Sequence, residues 1–114
     1  MFFFGIAMKY TSSKHAKFLI AYHIIFVVKY RQPLLKHLGD WMKNTFLDIA
    51  KKSDFSISTM EVDIDHLHLM VLSPPNISPT QIVRRLKQQS TYLIWITFPS
   101  LQKYFWKEKT FWSV

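Results

Sequence analysis

Cysteine is absent from the 114-residue chain, which removes disulfides, thiolate zinc sites and thiol nucleophiles together. Redox chemistry therefore fixes no compartment, and the cytosol is the expected one. Glycine occurs only twice, so breaks in the backbone fall to Pro33, Pro74, Pro75, Pro79 and Pro99. No apolar run approaches the roughly 18–20 residues of a membrane span. Internal repeats, low-complexity tracts and linkers are missing too, and the N-terminus shows no charged region or cleavage signature of a secretory signal. Acids are scarce, seven against fifteen bases, for a net charge of +8.

What is present suits one domain. Hydrophobic residues make up 49% and aromatics 17%, enough for a core and for some rings to face a partner. The charge is unevenly spread. Residues 1–52 hold nine bases and two acids, residues 74–114 six bases and one acid. Between them, residues 53–73 hold no base and four acids, Asp54, Glu61, Asp63 and Asp65. Basic flanks around an acidic island suit a polyanion-binding surface with a metal-dependent site. An ordinary solvated basic surface is the competing explanation.

Residues 1–12 read as an N-terminal extension ahead of a domain at 13–114. Met1–Ala7 is apolar but short, and Met8 opens a stretch of ordinary character; a short strand or a hydrophobic plug is the alternative. Phe18 to Val28 reads as a strand buried on both faces. Leu34 to Lys52 carries one apolar helical face. Phe55 to Ile64 alternates as a second strand with a slip near Thr59-Met60 that suggests a bulge, Asp63-Ile64-Asp65 is a tight turn, and His66 to Leu72 is a third strand antiparallel to the second. Ser78-Pro-Thr-Gln81 is a helix start, with Ser as cap and Gln three residues on. Its helix buries Ile82, Val83, Leu86, Leu93 and Ile94 and stops before Phe98-Pro99. A last strand begins near Thr110. The order is β-α-β-β-α-β, the α+β ferredoxin-like arrangement, an antiparallel sheet with two helices on one face.

Asp65-His66-Leu67-His68-Leu69-Met70 is the chemically informative segment. Alternate strand residues share a face, so His66 and His68 project side by side, about 7 Å apart at Cα. Two imidazoles on a rigid strand suit a divalent metal with positions left open for phosphate oxygens. Glu61 and Asp65 are candidates for a third ligand or an outer hydrogen-bond acceptor. Composition alone yields about 0.2 His-x-His pairs in such a chain, so the pair could also be two polar residues on an exposed face. Lys29, Tyr30 and Arg31 at the end of the first strand, and Arg84, Arg85 and Lys87 on the second helix, are candidate DNA contacts, combining phosphate-binding cations with a stacking ring.

These segments together resemble the single-tyrosine HUH transposases of the TnpA type. His66-Leu67-His68 with Asp65 before it and Ser73-Pro-Pro75 after it carries the likeness. So do Tyr22-His-Ile-Ile-Phe-Val-Val-Lys-Tyr-Arg-Gln-Pro33, Ser78-Pro-Thr-Gln-Ile-Val-Arg-Arg-Leu-Lys87, Phe98-Pro-Ser-Leu101 and Lys109-Thr-Phe-Trp-Ser113. The resemblance implies a metal-dependent enzyme, using Mg²⁺ or Mn²⁺ at His66 and His68 and no nucleotide cofactor. It would cleave and transfer single-stranded or hairpin DNA ends of an insertion sequence and act as a homodimer without a membrane. It also implies a nucleophilic tyrosine and a further metal ligand on a C-terminal helix. Neither matches a position up to Val114, so the chain is expected to be truncated at its last strand and inactive alone. None of Tyr10, Tyr22, Tyr30, Tyr92 and Tyr104 is nominated as nucleophile. A non-catalytic nucleic-acid-binding ferredoxin-like domain and a metal-independent dimeric regulatory domain are the alternatives.

Overall fold

The computed structural model describes residues 2–11, 16–105 and 110–113. Its elements are β1 (Phe2–Thr11), β2 (Ala16–Val27), α1 (Leu35–Lys51), β3 (Ser56–Val62), β4 (His66–Ser73) and α2 (Pro79–Thr97), with short 3-10 turns at Lys29–Arg31 and Pro99–Phe105. The strands form one antiparallel sheet in the order β1-β2-β4-β3.

Alternation decides which side of the sheet is covered. In β4, Leu67, Leu69 and Val71 are buried while His66, His68 and Met70 are half-buried. In β2, Ile24, Phe26 and Val28 are fully buried, and Phe26 lies opposite Leu67. Met42, Phe46 and Ile49 of α1 and Ile82, Leu86 and Ile94 of α2 join them in one core. Both helices thus cover one face, as the pattern implied. The other face is not covered to the same degree: His23, Ile25 and Val27 are only half-buried, so β2 is a one-sided strand rather than one buried on both faces.

Local chemistry fixes the connections. Ser78 accepts from Gln81 N at 3.1 Å, and the Gln81 side chain accepts from Ser78 N at 2.9 Å, a reciprocal capping box at the start of α2. In α2, Ser90 and Thr91 are buried, whereas Val83 and Leu93 are only half-buried. Helix α1 has no side-chain cap; the Leu35 N–H instead donates to Ile64 O at 3.0 Å, in the β3–β4 turn. The expected slip in β3 is present as a register shift between Ile57 and Thr59.

β1 and the segment 111–113 lie on one edge of β2. Residues 2–11, read above as an extension, pair with it from Phe2↔Ile25 to Thr11↔Ala16, so the strand alternative describes this segment. Among the described residues after Thr110 the chain makes one bridge, Val28↔Trp112, held by Lys29 N donating to Phe111 O at 2.9 Å and Ser113 N donating to Val27 O at 2.7 Å.

Phe111 and Trp112 are fully buried; Trp106 falls outside the described residues. Trp112 packs edge-on against Phe26, Phe46 and Phe111, and its Nε1 donates to Ser90 Oγ at 2.9 Å. Ser90 Oγ in turn donates to Leu86 O at 2.6 Å. Trp112→Phe should therefore cost about 1–2 kcal/mol, one buried hydrogen bond plus a small void, and Trp112→Ala about 3–5 kcal/mol. Urea unfolding of both variants checks the difference.

Candidate metal and nucleic-acid site

The Asp63–Asp65 turn is tight because the Asp63 carboxylate accepts from Ile64 N at 2.7 Å and Asp63 N donates to His66 O at 2.8 Å. This sets the register that sends both His66 and His68 to the face away from the helices. Their ring centroids are 4.9 Å apart at an interplanar angle of 66°. Glu61, exposed on β3, is directly opposite His68.

Asp65 is tied on two sides. Its Oδ1 lies 2.8 Å from His66 Nδ1, and its Oδ2 accepts from Arg31 Nε at 3.1 Å. The hydrogen bond from His66 first, and then that from Arg31, holds the Asp65 carboxyl below its ordinary value. An ionised carboxylate can only accept, so the proton of this pair sits on His66 Nδ1 and Nε2 is left on the outward side. The nearest carboxylate on that side, Asp63 Oδ2, is 3.9 Å from Nε2, too far for a hydrogen bond. Both Asp65 oxygens are thus engaged, one with His66 and one with Arg31.

Arg31 reaches Asp65 from a strained turn. Tyr30 has φ 58°, ψ 17° and Arg31 has φ 50°, two successive left-handed residues without glycine, at a cost of order 1–3 kcal/mol each. The turn is held by Val28 N donating to Asp65 O, Lys29 N to Phe111 O and Arg31 N to Val28 O. Tyr30 is left half exposed, with Lys29 Nζ 5.9 Å from its ring centroid.

Residues 16–114 match the family described as "Transposase IS200 like". The chain belongs to that family. It is 34% identical over 88 residues to the ISDra2 transposase TnpA of Deinococcus radiodurans, covering 76% of this chain and 63% of that one. It is 25% identical over 113 residues to the transposase for insertion sequence element IS200 of Salmonella typhimurium, covering 89% of this chain and 66% of that one. The chain thus spans just under two thirds of the length of these relatives. A transposase-type protein of D. radiodurans R1, whose crystal structure was solved at 1.90 Å, superposes with a TM-score of 0.76 at 28% identity, over 93% of this chain and 80% of that one.

Within this transposase domain the structure separates the two groups of cations. Arg31 adjoins the histidine face through Asp65, and Lys29 and Tyr30 are on the same short turn. Arg84, Arg85 and Lys87 are on α2, which packs on the opposite face of the sheet. Arg85 donates to Lys52 O at 3.2 Å, while Arg84 and Lys87 line an open groove of about 670 Å³ with Val83, Tyr92 and Trp95. The histidine face has a smaller depression, about 330 Å³, lined by His23, Thr59, Glu61, His68 and Met70.

His23 is the site residue that the sequence reading passed over. Its ring stacks on His68 with centroids 5.7 Å apart. The signal was its odd parity against buried Tyr22, Ile24 and Phe26; what the sequence did not give was the β2–β4 register. Among the described residues no group of three or more His, Asp or Glu side chains is gathered closely enough to hold a metal by itself. The two imidazoles fit a metal as a partial set, with other positions falling to waters and phosphate oxygens. No tyrosine of β2, β3 or β4 is on their face, since Tyr22 is buried in the core.

Because the Asp65 pKa is lowered in the folded state, its ion pair and hydrogen bonds stabilise the fold fully above the ordinary carboxylate value near 3.9 and lose that contribution as pH falls through the lowered one. Asp65→Asn should therefore reduce stability at pH 7 and flatten the loss of stability as pH falls below about 4. Urea midpoints of wild type and variant across that range measure it.

Proposed function

We propose that this domain serves DNA transposition by binding single-stranded or hairpin ends of an insertion sequence, with His66 and His68 holding a divalent ion, Mg²⁺ or Mn²⁺, at the scissile phosphate. The observation that carries the reading is the placement of the two imidazoles side by side on a central strand, backed by Asp65, in a chain of the IS200-like transposase family. When bound, the metal would supply charge stabilisation to a phosphate undergoing displacement. The chain's own residues have separable tasks. Asp65 holds the His66 proton on Nδ1. Lys29 and Arg31 offer cations beside the histidine face, and the exposed Tyr30 ring offers a stacking surface for an unpaired base. Arg84 and Lys87 offer a second set of phosphate contacts on the helical side.

Strand cleavage in this reading requires a hydroxyl nucleophile in line with the phosphate, because positioning provides much of the rate. None of Tyr10, Tyr22, Tyr30, Tyr92 and Tyr104 is nominated for it: Tyr22 is buried under the helices, Tyr92 and Tyr104 are on or after α2, Tyr30 is read as a stacking ring, and the resemblance puts the nucleophile on a further C-terminal helix. The 114 residues alone are therefore expected to bind DNA and form no covalent adduct. The domain is further read as working in the cytoplasm as a homodimer, without a nucleotide cofactor.

The test has two arms. Mn²⁺ titration followed by calorimetry should show binding to wild type and its loss in His66→Ala/His68→Ala; equal binding by both would remove the metal role. Binding to hairpin and single-stranded DNA should weaken steeply with salt, as phosphate contacts release counterions. Arg84→Ala and Lys87→Ala should each lower affinity and shallow the salt slope by about one. Preference for random duplex, or a flat salt response, would rule out the single-strand reading.

A further inference from the structure

We infer that Arg31 is a positioning residue for His66, acting through Asp65 rather than by touching DNA alone. The inference rests on the reading of His66 and His68 as the metal pair and deepens it. Arg31 is largely exposed, with 71% of its side chain accessible, while Asp65 is 15% accessible. An exposed cation on a surface carboxylate is ordinarily a weak contact. This one differs because the backbone bends to make it: Tyr30 and Arg31 are both left-handed, and the turn is fastened to Asp65 a second time by Val28 N donating to Asp65 O at 2.9 Å. Arg31 fixes Oδ2, which leaves Oδ1 aimed at His66 Nδ1. Without the guanidinium the carboxylate can turn about its own bond, and the imidazole can exchange its proton between nitrogens or flip, so that Nε2 no longer always presents a lone pair. Outer partners of metal-binding histidines act in this way on ligand orientation and tautomer.

The experiment uses the 114-residue chain labelled with ¹⁵N. Long-range proton–nitrogen spectra report which His66 nitrogen carries the proton, and manganese titration reports affinity independently. Wild type should show Nδ1–H. Arg31→Ala should give a mixture of both tautomers and a loss of affinity of about three- to tenfold, the lower part of the range for outer-shell partners. Arg31→Lys, which restores a donor, should recover much of both, and Asp65→Asn should lose at least as much as Arg31→Ala. Lys36→Ala removes the same charge from an exposed site on α1 and should change neither. Melting curves confirm that the variants are folded; if Arg31→Ala is not, Arg31→Lys and Arg31→Gln give the comparison. An unchanged tautomer and affinity in Arg31→Ala, with wild type binding manganese, would overturn the role of Arg31 and leave the metal pair standing. A tautomer change in a protein that binds no manganese at all would support the positioning and overturn the metal reading.

Discussion

The pleat of β4 is the constraint on which the rest of the molecule depends. Strand geometry gives eight residues two faces and no third choice. Leu67, Leu69 and Val71 must go under the helices, so His66 and His68 must go to the opposite face. A slip of one residue would put two imidazoles against Phe26 and Phe46 and expose three aliphatic side chains, a double loss of polar desolvation and unburied hydrocarbon. The core and the candidate site are therefore not separate achievements of the sequence. The leucines that close the core also aim the histidines.

Asp65 is where this alternation is joined to the rest of the chain. Its carbonyl receives the Val28 N–H that ends β2, and its carboxylate receives His66 and Arg31. One residue thus terminates one strand, begins the next and holds the side chain that leads it. The left-handed turn at Tyr30 and Arg31 is tolerable because Arg31 is bound at Asp65 and at Val28 and the preceding Lys29 at Phe111, so the strain is distributed over contacts that the fold makes anyway. The C-terminal aromatics take part for the same reason. Phe111 O supports Lys29, while Trp112 fills the core between Phe26 and Phe46.

Much of this was legible in the residues themselves. The His66–His68 parity follows from period-two alternation, and the start of α2 from Ser78, Pro79 and Gln81, both local rules with little competition. The bulge showed as a break in the β3 pattern. Features that depend on which strands meet were less accessible. β2 looked two-faced because, His23 apart, Tyr22 to Val28 is β-branched or aromatic, but among the described residues no helix covers its odd face. His23 is beside His68 only through the β2–β4 register. Arg31 reaches Asp65 through positive φ angles that no bulky residue advertises. Arg84 and Arg31 both read as cations for phosphate, yet only the sheet separates them onto different sides.

The edge that β2 turns away from β4 has a consequence for the order in which the domain assembles. Phe2 pairs with Ile25, and Ser113 bonds to Val27, so Phe26 alone separates the two occupants along that edge. They arrive by very different routes. β1 folds back on β2 across residues 12–15, whereas Val28 and Trp112 are 84 residues apart in sequence. Loop-closure scaling puts the entropic cost of the longer connection about 3 kcal/mol above that of the shorter. The hairpin is the contact of low order and is expected to claim its length of edge first. The segment carrying Phe111 and Trp112 meets the edge at Val27, Val28 and Lys29, past the last residue that β1 pairs with.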